Sequence, residues 1–147
     1  MSLDMAETPG ATETLPRFHR AEIVRFQHCD AAGIVFYPRY VEMINSTVED
    51  WCDHLGFSFA EIHGPMHAAI PVISLQVDFQ SPSRLGELLD FELTVKRLGR
   101  TSVTLRILAS HLSEQRFAAE LTLVHINKDD YRPREWPDQM KRVMVAP

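Results

Sequence analysis

Phe26-Gln27-His28-Cys29-Asp30-Ala31-Ala32-Gly33-Ile34-Val35-Phe36-Tyr37-Pro38-Arg39-Tyr40 joins the end of one expected element to the start of another. Its reading decides the fold. Upstream lie strand-forming residues; downstream an apolar stripe recurs at helical spacing. Pro38 carries the fixed backbone angle suited to the first turn of a helix. A helix starting there aims its unpaired N–H groups, and the positive end of its dipole, back toward the loop. Asp30 is followed by Ile34, Val35 and Phe36, apolar groups that can shield a carboxylate from water and raise its basicity. The stretch therefore offers a carboxylate close to an anion-stabilising pocket, the two parts that hydrolytic acyl transfer needs.

Outward from this loop, the pattern is consistent with one helix and five strands. Residues 19–27 read as a first strand, with Ile23, Val24 and Phe26 as strand formers. Residues 38–55 read as one long helix with Tyr40, Ile44, Thr47 or Val48, Trp51 and Leu55 on its apolar stripe. Gly56 stands where a C-terminal cap is expected. Residues 57–68 read as a loop with a short helical turn at 59–63. The period then changes to two. Segments 69–80, 87–97, 101–111 and 116–126 each alternate apolar with polar residues, and short turns between them imply an antiparallel meander. Such a sheet must bury its apolar face, and the helix at 38–55 is the only long element available to cover it. The expected class is α+β, a curved antiparallel sheet of about five strands wrapped around one central helix.

The 147-residue chain suits a single domain, and no apolar run is long enough to span a bilayer. Residues 1–17 are polar, contain Pro9, Gly10 and Pro16, and read as a flexible arm; 18–126 form the domain; 127–147 read as a solvated surface tail. Two cysteines, Cys29 and Cys52, point to free thiols and a cytoplasmic setting rather than a disulfide framework. A net charge of −5 argues against a general nucleic-acid binder.

On residue chemistry alone, Asp30 is either a catalytic carboxylate or a turn residue. His28, Cys29 and Asp30 cannot form a triad, because consecutive residues of an extended segment alternate in direction. His28 either tunes Asp30 or sits on the surface. The remaining histidines lack the spacing of a metal site. Arg84, Lys96, Arg97 and Arg100 fall at turns, either as solubility features or as a patch for a polyanion.

Asp30-Ala31-Ala32-Gly33-Ile34-Val35-Phe36-Tyr37-Pro38-Arg39-Tyr40 resembles the active-site signature of the 4-hydroxybenzoyl-CoA thioesterase family of hotdog-fold enzymes. The likeness continues more loosely from Ile70 to Val103 and covers most of 18–126. It implies an acyl-CoA thioesterase acting on a short-chain or aromatic acyl group. Asp30 would attack the thioester carbonyl or activate water. The backbone N–H of Tyr37, with that of Gly33, would form the oxyanion hole. Asn45 and Glu49 would face the acyl pocket; some relatives that act on hydroxylated aromatic acyl groups carry an acid where this chain has Asn45. Arg84, Lys96, Arg97 and Arg100 would meet the phosphates of coenzyme A, which enters as part of the substrate and not as a cofactor. The resemblance further implies a homodimer or homotetramer with sites at the subunit interface. An acyl-carrier-protein thioesterase and a non-catalytic acyl-CoA-binding protein are the alternatives.

Overall fold

The computed structural model describes residues 17–146. The arm expected at 1–17 thus lies, but for Arg17, outside the described residues. The long helix α1 spans Tyr37–Leu55, with Pro38 in its first turn and Gly56 closing it at φ +95° in the left-handed region. Its buried face consists of Tyr40, Met43, Ile44, Thr47, Val48, Trp51 and Cys52, at successive spacings that alternate between three and one. Leu55, expected on that stripe, is only half-buried.

Five strands form one antiparallel sheet: β1 (Arg17–Ile23), β3 (Val72–Phe79), β4 (Leu88–Leu98), β5 (Ser102–His111) and β6 (Glu114–Val124), in the spatial order β1-β4-β5-β6-β3. A two-residue strand β2 (Ala68–Ala69) pairs with β7 (Ile126–Asn127) beside it. The short helix α2 (Phe59–His63) follows α1, with the Ser58 hydroxyl capping it by accepting from the Glu61 N–H. The alternation read in the sequence is realised in the core. Leu89, Phe91, Leu93 and Val95 of β4, Val103, Leu105, Ile107 and Ala109 of β5, and Phe117, Ala119, Leu121 and Leu123 of β6 are all buried. They form one cluster with the buried face of α1, with Tyr40 edge-on to Phe117. This is the expected hotdog arrangement of a sheet around a central helix.

Three sequence expectations are corrected. The meander holds for β4, β5 and β6, but β3 pairs with β6 at the far edge and not with β4. The β4 edge is already taken by β1, from Ile23↔Leu88 to Arg17↔Thr94, so residues 80–87 must cross the end of the sheet. As an edge strand, β3 leaves its apolar residues uncovered: Ile73 is 63% exposed.

The first strand ends at Ile23, and Phe26–His28 form a single 3-10 turn with Phe26 exposed. The half-buried residues of β1 are Phe18, Arg20 and Glu22. The Arg20 guanidinium lies 5.1 Å from the Phe91 ring centre, and its Nε is 2.9 Å from Asp50. A charged side chain can occupy that face because its stem is apolar and its head is paired.

The segment read as a solvated tail is packed. Trp136, Met140 and Met144 recur every four residues and are buried, the last two on helix α3 (Asp138–Val145). Trp136 stacks on His125 at 4.8 Å and donates its indole N–H to the Ser102 carbonyl at 3.0 Å. Charge density in this segment masked a stripe of three large apolar side chains.

Candidate active site

The loop after β1 is set by its own hydrogen bonds. The Asp30 N–H donates to the Ile34 carbonyl at 3.0 Å, and the Gly33 N–H donates to the Asp30 carbonyl at 3.0 Å. Gly33 adopts φ +82°, which a side chain would disfavour. Asp30 Oδ1 accepts from the Ala32 N–H at 2.9 Å, an Asx turn that fixes the carboxylate while Oδ2 has no partner among the described residues. The Gly33 N–H is therefore already engaged in the turn, which corrects its expected part in an oxyanion hole: its contribution is conformational.

Asp30 is exposed, contrary to the shielding expected from its apolar neighbours. Val35 turns inward to the core, Ile34 is half-buried in a bridge to Arg84, and Phe36 is 45% exposed. Alternation in an extended segment sends these side chains to different sides, so they cannot all cover one carboxylate.

Tyr37 opens α1, and its N–H has no acceptor among the described residues, as the first residues of a helix require. Its ring is 62% exposed and stands edge-on to Phe36 at 5.5 Å and to Phe79 at 6.4 Å. The loop carboxylate and the helix N–H thus share one end of the molecule, rimmed by uncovered aromatic rings.

That end is held by the crossing segment. The Val35 N–H donates to the Ser83 carbonyl at 2.9 Å, and the Tyr40 hydroxyl is bonded to the Ser83 hydroxyl at 2.7 Å in a buried contact. Burial pushes the Tyr40 hydroxyl above its ordinary range. Behind them, Arg116 is buried on β6. It donates to the Pro82 carbonyl at 2.8 Å and to Glu87 at 2.7 Å, with a second fork to Glu114 at 3.0 Å. The Arg116 hydrogen bond holds the Glu87 carboxyl down to about 2. Nothing in the alternation of β6 separates this inward-bound Arg from an ordinary outward charge, and its partners are distant in sequence, so sequence reading missed it. Both ring nitrogens of the buried His28 are engaged by residues other than Asp30: Nδ1 accepts from the Arg25 N–H at 2.8 Å, and Nε2 faces Glu22 at 3.6 Å.

The basic residues do not form one patch. Arg84 adjoins the loop through its bridge to Ile34, and its own N–H is held by Glu87 at 2.8 Å. Lys96 pairs with Glu120 at 2.7 Å, Arg97 reaches Thr104 at 3.4 Å, and Arg100 stands 3.8 Å from Glu135. These three lie at or beyond the far end of β4, roughly 30 Å along the strand from the loop.

An apolar cavity of about 650 Å³ runs beside α1. Val41 and Val48 of α1, Val72 and Leu75 of β3, and Leu121 and Leu123 of β6 line much of it. Asn45 is on its wall; Glu49 is not, and instead lies near Cys52, whose thiol is pushed up to about 12 by burial first and by that carboxylate second. Phe59 and His63 of α2 close one side of the cavity.

The family model of the thioesterase superfamily matches residues 32–118. The chain belongs to the thioesterase superfamily. Within that superfamily, it is similar to a 1,4-dihydroxy-2-naphthoyl-CoA hydrolase of Acaryochloris marina (strain MBIC 11017), with 26% identity over 104 residues, 70% of this chain and 76% of the relative. That relative is named for a dihydroxynaphthoyl group and not for 4-hydroxybenzoyl. The fold is shared with Slr0204, a 1,4-dihydroxy-2-naphthoyl-CoA thioesterase from Synechocystis, at a TM-score of 0.82 and 19% identity, over 88% of this chain and 96% of that one. It is shared also with BH1999, a gentisyl-coenzyme A thioesterase, at a TM-score of 0.77 and 20% identity, over 88% of this chain and all (100%) of that one. As a member of the thioesterase superfamily this chain is a thioester hydrolase of the hotdog fold. The superfamily match begins two residues after Asp30 and takes in Gly33, Tyr37, Ser83 and Arg116.

Proposed function

We propose that this chain hydrolyses an aromatic, hydroxylated acyl-CoA to the free acid and coenzyme A. Asp30 serves as nucleophile or general base, and the Tyr37 N–H as oxyanion donor. The observation that carries the reading is an N–H at the start of α1 and, in the loop just before it, a carboxylate Oδ2, both without a hydrogen-bond partner among the described residues. In one route Oδ2 attacks the thioester carbonyl, the thiolate leaves, and water cleaves the resulting anhydride. In the other Oδ2 takes a proton from water as that water attacks. Both build negative charge on the carbonyl oxygen, which the helix N-terminus stabilises. The names of the relative and of the two fold neighbours, all aromatic and hydroxylated, support the choice of acyl group.

The site is completed by a second copy of the chain in this reading. Among the described residues β3 has no neighbour on its outer edge, and Val72, Ile73, Leu75 and Phe79 are exposed along it. An uncovered apolar edge strand is the surface through which two sheets join. Pairing there would cover the cavity mouth and withdraw Asp30 from water. Arg84 would meet a coenzyme A phosphate near the loop, while Lys96, Arg97 and Arg100 would reach the substrate only from a neighbouring subunit.

The test is thiol release from a panel of acyl-CoAs: 1,4-dihydroxy-2-naphthoyl, 4-hydroxybenzoyl, benzoyl, acetyl and palmitoyl. Turnover concentrated on the hydroxylated aromatic thioesters is the expected result. Preference for the aliphatic thioesters contradicts the acyl assignment, and absence of turnover on every member contradicts the acyl-CoA reading.

A further inference from the structure

The cavity beside α1 is apolar apart from Asn45, His63 and Tyr131. His63 is the one whose polar atoms are most tightly prescribed. Its Nδ1 lies 2.8 Å from the Phe59 carbonyl, one helical turn back. A carbonyl can only accept, so Nδ1 carries the proton, and in the neutral ring Nε2 is left with a lone pair. The ring is further fixed edge-on to Phe59, with centres 5.2 Å apart. The backbone is fixed too: Lys128 donates to the His63 carbonyl at 2.7 Å, and Gly64 ends the helix. Nε2 has no hydrogen-bond partner among the described residues, although it belongs to a half-buried side chain on the wall of an apolar cavity. Such an atom is left unpaired when an apolar ligand excludes water from the cavity, and is satisfied when the ligand brings a donor.

We propose that His63 is a specificity-determining residue, whose Nε2 accepts a hydrogen bond from a ring hydroxyl of an acyl group seated in this cavity. The proposal rests on the thioesterase reading above and adds the residue that reads the hydroxyl. A pocket built to bond a hydroxyl rejects the analogue that lacks it more strongly than a greasy pocket rejects an added hydroxyl. Asn45, facing the same cavity from α1, can donate or accept and does not by itself discriminate; in the neutral ring the proton on Nδ1 leaves His63 Nε2 only the acceptor role.

The experiment compares kcat/KM for two substrate pairs, 1,4-dihydroxy-2-naphthoyl-CoA against 2-naphthoyl-CoA and 4-hydroxybenzoyl-CoA against benzoyl-CoA, in wild type and in His63→Phe. Phe keeps a ring against Phe59 and removes both nitrogens. The hydroxylated-to-plain ratio of at least one pair is expected to fall by about 10- to 100-fold, with the loss on the hydroxylated member. An unchanged ratio in both pairs overturns the proposal. Wild-type turnover confined to aliphatic acyl-CoAs overturns it too, while no turnover on any acyl-CoA overturns the thioesterase reading beneath it. A second readout uses the wild type alone. In protein with 15N-labelled histidine, saturating 1,4-dihydroxy-2-naphthoate, kept anaerobic, is expected to shift the His63 Nε2 resonance, whereas 2-naphthoate leaves it in place. Equal shifts, or none, overturn the proposal even if His63→Phe fails to fold.

Discussion

Val35 and Ser83 are joined by a 2.9 Å hydrogen bond from the Val35 N–H to the Ser83 carbonyl, which ties the Asp30 loop to the segment crossing the end of the sheet. That segment is in turn nailed down by Arg116, through Pro82 and Glu87. The order of support runs from a buried arginine, to a crossing loop, to the candidate carboxylate.

Arg116→Met therefore leaves Glu87 and the Pro82 carbonyl without their donor. Arg116 is buried but Glu87 is part-exposed, so losing the charge-assisted hydrogen bonds between them costs about 1.5–3 kcal/mol. Urea denaturation is expected to show a loss of that order. Arg116→Lys restores the charge without the fork and is expected to recover only part of it. A loss below about 1 kcal/mol for the Met variant would mean that the network does not support the loop.

Acid sensitivity should appear in two windows. His125 is buried, and burial holds its pKa below the ordinary 6.5. The unfolded chain therefore takes up a proton that the folded one refuses, and stability falls as pH drops through about 6.5. Glu87 has the opposite chemistry and the same outcome. Its carboxyl is held down to about 2 against an ordinary 4.5, so the stability it contributes is full above 4.5 and is lost as pH falls toward 2. Melting temperature measured from pH 8 to pH 2.5 is expected to decline below pH 7 and again below pH 4.5, and His125→Phe to flatten the upper part of that decline. A flat profile from 7 to 5 in wild type would contradict the first assignment.

Cys52 is buried on α1, with its thiol pushed up to about 12. At pH 8 its thiolate is scarce and enclosed. A chromogenic disulfide reagent is expected to titrate at most one thiol per chain, Cys29, under native conditions and both in urea. Rapid labelling of two thiols in the native protein would place Cys52 elsewhere.

Trp136 is buried between His125 and Ser102. Trp136→Ala is expected to cost about 3–5 kcal/mol in denaturation, the range for truncating a large core aromatic. A cost under about 1 kcal/mol would restore the solvated-tail reading of 127–147.

That tail shows where sequence reading gave out. Twofold alternation in β4, β5 and β6 named the inward residues, because each strand is buried on one face only. The helix was equally legible, from Pro38 at its start to Gly56 at its end. Strand order was not. Phe79 and Leu89 each alternate properly, yet nothing local tells that the first lies on an edge across two strands from the second. At the candidate site, the loop that carries Asp30 and the helix start at Tyr37 were legible because both are local features, while the roles expected of them came from the resemblance to the family signature. Arg116, Ser83 and His63 were not, since what makes them matter is a partner or a cavity wall assembled from distant segments. Gly33 was identified, but its N–H is consumed by the turn that its left-handed backbone allows.

Asp30→Asn compared with wild type, assayed for thiol release from the acyl-CoA that wild type prefers, tests the central claim most directly. The substitution keeps the size of the side chain and its capacity to accept from the Ala32 N–H, and removes the charge that attacks the carbonyl or takes the proton. The expected result is a folded protein of unchanged melting temperature within a few degrees, with kcat lower by about 10²–10⁴-fold, the contribution of a positioned acid–base group. A folded Asp30→Asn variant that retains wild-type kcat would contradict the assignment of Asp30 as the catalytic carboxylate.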